Sequence, residues 1–132
     1  MSGSFPELPI HYVIDEKRRL VISTGRDRVT FAETKAHQDQ LITDPDFRPE
    51  FNQLIDATAV THLDLLVAEA KTLASRKFFS AASRRAFVAS SPAIFGMGQL
   101  MGAYSQMEPG REQVCIFYSL DAALEWLGVS TP

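Results

Sequence analysis

Three short apolar runs, near residues 54, 87 and 115, are each followed by a polar turn and a segment with helix-forming chemistry. That order constrains the fold more than any other feature. Runs too apolar to leave a face in water belong in a sheet covered on both sides. Strands that alternate with helices pair in parallel through right-handed crossovers. With two further β-rich runs at the start, the pattern predicts one α/β domain: a five-stranded mixed sheet with about four helices.

In chain order, residues 1–9 read as a flexible N-terminal lead-in, broken by Pro6 and Pro9, and residues 10–132 as the domain. Ile10 to Asp15 and Arg19 to Thr24 form a hairpin pattern about the charged turn Glu16-Lys17-Arg18, with Gly25 ending the second strand. Thr30-Phe31-Ala32-Glu33 is a capping box, so a helix should run from there to about Thr43 and stop before Asp44-Pro45. Phe47 and Phe51 should tuck inward and pin the connector that follows. A central strand is expected over Gln53 to Asp56, then a turn, then a helix from about Asp64 to Ser75, with Thr61 and Asp64 repeating the capping pattern. Phe78 and Phe79 should close one edge of the core. Ala86 to Ala89 is the next strand, and Ser91-Pro92 starts a third helix with a serine cap and an N1 proline. Val114 to Tyr118 is the last strand. Ser119 caps a final helix that Gly128 should end.

Composition narrows the function classes. The 132 residues suit one ordinary domain, and a net charge of −3 argues against an electrostatic nucleic-acid binder. Arg76, Lys77, Arg84 and Arg85 make a local basic cluster, expected to be solvated loop and helix-end charge. Cys115, the single cysteine, lies in an apolar run and should be a buried, inert thiol. The N-terminus has no signal-peptide pattern, and a cytoplasmic setting is the expectation. The uncharged run from Ala86 to Met107 is interrupted by Ser90, Ser91, Pro92 and Gln99, so a strand, turn and helix explain it better than a membrane span.

Leu54-Ile55-Asp56, Val60-Thr61, Asp64, the strand Ala86 to Ala89, the Phe95-Gly96-Met97-Gly98 segment and the closing run Val114 to Leu127 together resemble the STAS domains. These have the fold of the SpoIIAA-like anti-anti-sigma factors. The chain also looks like the small bacterial STAS/SEC14-type proteins. The resemblance spans about Ile10 to Leu127. It implies a regulatory domain that works through protein–protein contact. Anti-anti-sigma proteins place a phosphorylatable serine just after the aspartate that Asp64 matches. Here Leu65 and Leu66 follow, so the serine switch should be absent unless Thr58 or Thr61 substitutes for it.

Local chemistry adds little. Asp56 and Asp64 would make an acid/base pair only if they converged; the expected roles are a strand-end hydrogen bonder and a helix-start charge. His62 is expected to be an exposed turn histidine. No histidine or cysteine spacing suggests a metal, no catalytic set can be named, and no cofactor is implied. Gly96, Gly98 and Gly102 each weaken a helix by about 1 kcal/mol, which calls for close approach of another backbone, with packing against the sheet or a neighbouring helix as the expected reason.

Two functional expectations follow. The first is a non-enzymatic interaction domain whose partner surface is Thr58, Thr61, His62, Asp64, Leu65 and Leu66, with an exposed leucine as anchor; the partner itself is unknown. The second is a carrier for an apolar or lipid-like small molecule, held by Ser90, Ser91, Phe95, Gly98 and Met101. Homodimerisation through an open sheet edge or helix face is a further expectation.

Overall fold

A computed structural model describes residues 8–129. The lead-in expected over residues 1–9 therefore lies mostly outside the described residues. The elements are β1 (Ile10–Asp15), β2 (Leu20–Thr30), α1 (Phe31–Ile42), β3 (Asn52–Asp64), α2 (Val67–Ala74), β4 (Arg84–Ala89), α3 (Pro92–Gln106), β5 (Gln113–Phe117) and α4 (Leu120–Leu127). They build one five-stranded sheet in the order β1-β2-β3-β4-β5. β1 is antiparallel to β2, and every other pair is parallel. The predicted mixed sheet with four helices is the observed one.

Side chains alternate across this sheet, and the two faces are covered unequally. On one face Leu20, Leu54, Ala86 and Val88 pack under Ala123, Leu124 and Leu127 of α4. The other face lies beneath α1, α2 and α3. At its lower end Val21, Leu41, Phe47, Phe51 and Phe79 form a tight cluster, as expected of the inward-turned phenylalanines.

Caps behave largely as the residues dictate. Thr30 and Glu33 satisfy each other's backbone amides at the start of α1. The Ser91 hydroxyl accepts from the Ile94 amide and Pro92 occupies the first turn of α3. Ser119 caps α4, and Gly128 ends it in the left-handed region at φ 74°, where a Cβ would be strained.

Two expectations fail together in the middle of the chain. β2 does not stop at Gly25 but continues to Thr30, and β3 does not stop at Asp56 but continues to Asp64. Each extension gives the other its hydrogen-bonding partner, from Arg26 opposite Ala59 to Thr30 opposite Asp64, with one register shift just before this stretch and one within it, between Asp27 and Arg28. β-Branched Thr58, Val60 and Thr61 suit this extended backbone. Gly25 is a point of close approach, since a Cβ there would lie 3.0 Å from Val60 Cγ2. The predicted Thr61–Asp64 cap therefore does not form. α2 begins three residues later than expected, with the Glu69 carboxylate accepting from the Leu66 amide at 2.8 Å.

Candidate functional site

The layer between the sheet and α1–α3 is incompletely filled. It encloses a cavity of about 130 Å³. Ile55, Phe87 and Ile116 form its floor, on three adjacent parallel strands, and Leu73 of α2 with Gly98 and Met101 of α3 form much of its roof. These floor residues are only partly covered, whereas Leu54, Ala86 and Val88, which face α4, are at most 5% exposed. The difference arises from α3. Gly98 and Gly102 let its backbone approach the sheet, and a Cβ at Gly98 would sit 3.0 Å from Phe87 Cδ1 and 3.3 Å from Ile116 Cδ1. The glycines thus bring the helix close while supplying no side chains to fill the space beside it. An engineered cavity of roughly 150 Å³ with apolar walls binds benzene, so this space has room for a ring-sized group.

One end of the cavity is polar. Ser23, His37, Gln53 and Arg85 all line it. They form a continuous relay across the sheet. Arg85 Nε donates to Gln53 Oε1 at 2.8 Å, and Gln53 Nε2 donates to Ser23 Oγ at 2.9 Å. Ser23 Oγ lies 3.0 Å from His37 Nε2. With its oxygen already accepting from Gln53, the serine can donate its proton to Nε2, which leaves the imidazole proton on Nδ1. Burial, helped by the charges of Arg85 and His11, pushes the His37 pKa down to about 4, so the ring is neutral at pH 7.

Behind Arg85 lies a buried ion cluster. Arg85 Nη1 meets Glu112 Oε2 at 2.8 Å, and Arg111 Nε meets Glu112 Oε1 at 3.1 Å. The Glu112 side chain is 0% exposed and that of Arg111 1% exposed. Burial alone would push the Glu112 pKa up, but the Arg85 ion pair and the hydrogen bonds around it hold it below the ordinary carboxylate range. The Phe78 and Phe79 rings flank the Arg85 guanidinium, 5.5 and 4.7 Å from its carbon. Arg85 is therefore not the solvated charge expected from its place in a basic cluster. Arg76 is also engaged, bonded to Gln38 and Asp39 of α1.

The residues of the predicted partner surface fall along the β3 extension and the loop after it. Thr58, Thr61, His62 and Asp64 are exposed, on a strand rather than in a turn. Thr58 Oγ1 donates to Asp56 at 2.6 Å, His62 Nδ1 lies 3.1 Å from Thr61 Oγ1, and Asp64 pairs with Arg28 at 2.5 Å. At roughly 3.3 Å of rise per residue, the eight steps from Asp56 to Asp64 span about 26 Å, so the two carboxylates do not converge. Leu65 turns inward to line the cavity, while Leu66 and Val67 are 70% and 58% exposed.

The predicted ligand-binding set divides. Gly98 and Met101 line the cavity. Ser90, Ser91 and Phe95 are occupied elsewhere: Ser90 Oγ donates to the Val60 carbonyl at 2.6 Å, Ser91 caps α3, and Phe95 stacks on Tyr118 at 4.3 Å. Cys115 is partly exposed rather than buried. Among the described residues no group of three or more His, Cys, Asp or Glu side chains is placed to hold a metal ion. No helix among them is long and apolar enough to cross a membrane.

No protein-family model matches the chain, and no curated protein matches it. A solved structure does. The chain is similar to an uncharacterised protein from the DUF3478 family with a SpoIIAA-like fold, from Shewanella loihica PV-4. The two are 18% identical with a TM-score of 0.58, over 94% of this chain and 98% of that one. The likeness establishes the fold. This chain has a SpoIIAA-like fold.

Proposed function

We propose that this domain binds a small, largely apolar molecule between its sheet and the α1–α3 layer, and that it does so without catalysing a reaction. The observation that carries this is the partly uncovered floor Ile55, Phe87 and Ile116 in a place where a parallel sheet is ordinarily sealed. A pocket with apolar walls and a few convergent polar groups is the usual form of a small-molecule site. The Ser23–His37 contact invites a nucleophile–base reading. Against it, among the described residues no carboxylate bonds His37 Nδ1 to orient the ring, and a pKa of about 4 makes the imidazole a weak base at pH 7.

The test is thermal stability and native mass spectrometry of the purified protein against benzene, toluene and small alcohols. Binding should raise the melting temperature in a concentration-dependent way. Ala57→Leu, which adds bulk to the cavity wall, should abolish that rise while the protein stays folded. Equal shifts in both proteins, or none in either, would remove the proposal.

A second reading rests on a separate observation. Leu63 and Leu65 belong to the cavity wall, and Leu66 and Val67, next in the chain, project into solvent. The β3 extension and the start of α2 are thus positioned to present the state of the cavity to a protein partner. The regulatory contact implied by the STAS resemblance would lie here. Replacing Leu66 and Val67 with aspartate should then abolish partner capture without altering small-molecule binding; retention of every partner by the double variant would count against this surface.

A further inference from the structure

We infer that the cavity's ligand carries a carboxylate, recognised by Arg85 at the polar end, on a compact apolar body of about six carbons. This rests on the cavity reading above and adds the chemical class of the ligand.

The first support is charge. A single carboxylate, Glu112, serves two guanidiniums, the buried Arg111 and the largely covered Arg85, so the trio holds one positive charge in excess. Glu108 comes within 3.6 Å of Arg111 Nη1, but its side chain is 55% exposed and solvent screens it. Excess charge in a low-dielectric interior is unfavourable until a counter-charge joins it. Of the two arginines, Arg85 is the one that lines the cavity.

The second support is the supply of donors and acceptors. Arg85 directs Nε to Gln53 and Nη1 to Glu112, and among the described residues no acceptor is hydrogen-bonded to Nη2. Each neighbouring acceptor already has a donor of its own. Gln53 Oε1 accepts from Arg85, Gln38 Oε1 from Arg76, and Ser23 Oγ from Gln53. Donors are therefore in surplus at this end, and Phe78 and Phe79 fix the plane of the guanidinium. A planar anion with two acceptor oxygens matches such a donor. The third support is size: about 130 Å³ holds a ring or a short branched chain, not the acyl chains of a phospholipid.

The experiment compares benzoate and hexanoate with their neutral counterparts nitrobenzene and hexanamide, by ¹⁵N chemical-shift titration of the full-length protein at pH 7. The carboxylates should bind at least about tenfold more tightly than the neutral probes, the usual margin of a charge-assisted hydrogen bond. In Arg85→Gln, which leaves Glu112 paired with Arg111, the preference should fall to within about threefold. If the neutral probes bind as tightly as the carboxylates, or the preference survives unchanged in Arg85→Gln, the inference is overturned while the cavity stands. If no probe shifts the amides of Ile55, Phe87 or Gly98, the cavity reading falls with it. The wild-type comparison needs no variant and decides whether the cavity prefers a carboxylate even if Arg85→Gln does not fold.

Discussion

Gly98 of α3 lies so close to Phe87 of β4 that a Cβ would stand 3.0 Å from Cδ1 and 3.2 Å from Cε1 of the ring. That approach sets the depth of the cavity between helix and sheet. It also makes two glycines of one helix unequal. Nothing lies within 4 Å of a Cβ built on Gly96. Gly96→Ala should therefore stabilise the fold by about 0.5–1 kcal/mol through helix propensity. Gly98→Ala gains the same propensity but must displace Phe87 and Ile116, and should come out about 1–3 kcal/mol less stable than Gly96→Ala. Urea denaturation of the two variants checks the difference; equal stabilities would mean that α3 does not sit where it is described.

Glu112 is shared between two arginines, so its loss is worse than the loss of either. Glu112→Gln leaves Arg85 without a counter-ion and Arg111 with only the exposed Glu108, and should destabilise by about 3–5 kcal/mol. Arg85→Gln leaves the Arg111–Glu112 pair in place and should lower stability by less than about half of that. Chemical denaturation gives the ranking, and a larger loss for Arg85→Gln would contradict the shared arrangement.

His37 makes the fold sensitive to acid. Its folded pKa, about 4, lies below the ordinary histidine value of 6.5 because burial disfavours the charged ring. Between these values the unfolded chain binds more protons than the native one, so stability rises with pH across that window. The contribution is fully present above about pH 6.5 and is lost as the pH falls toward 4, at most about 3 kcal/mol. His37→Gln should flatten the part of the stability–pH curve between pH 6.5 and 4.5. Parallel curves for the two proteins would show that His37 is already protonated or solvated.

Thr30 and Thr61 each head a Thr-x-x-acid sequence, yet only Thr30 caps a helix. Thr30→Ala should lower stability by about 1 kcal/mol. Thr61→Ala, on an exposed strand position, should change it by no more than about 0.5 kcal/mol. Equal losses would restore the helix start that the sequence pattern suggested at Thr61.

These two threonines show how much of the fold was legible. A capping box specifies helix entry only when the backbone has no better partner. At Thr30 the strand pairing ends and the box forms. At Thr61 the extension of β2 from Arg26 to Thr30 offers β3 a second stretch of ladder, and the strand continues through the would-be cap. That partner lies more than thirty residues earlier in the chain, and no local window contains it. The same distance hid the polar end of the cavity. Ser23, His37, Gln53 and Arg85 come from four elements, and no spacing links them. Gly98 stands out in the sequence because a glycine inside a helix signals a close approach, and Met101 because methionine supplies adaptable apolar surface; both line the cavity.

The sequence by itself determined the order of strands and helices, most of their caps, and hence the mixed SpoIIAA-like sheet with helices on both faces. Those outcomes follow from periodicity and from side chains that bond their own neighbours, which act over a few residues. Only the tertiary structure decided that Arg85 is largely covered and paired with Glu112 instead of solvated, that β3 runs through the expected turn, and that the layer under α3 is left partly open. Burial, ladder pairing and unfilled volume belong to segments far apart in the chain, and their physics exists only once those segments have been brought together.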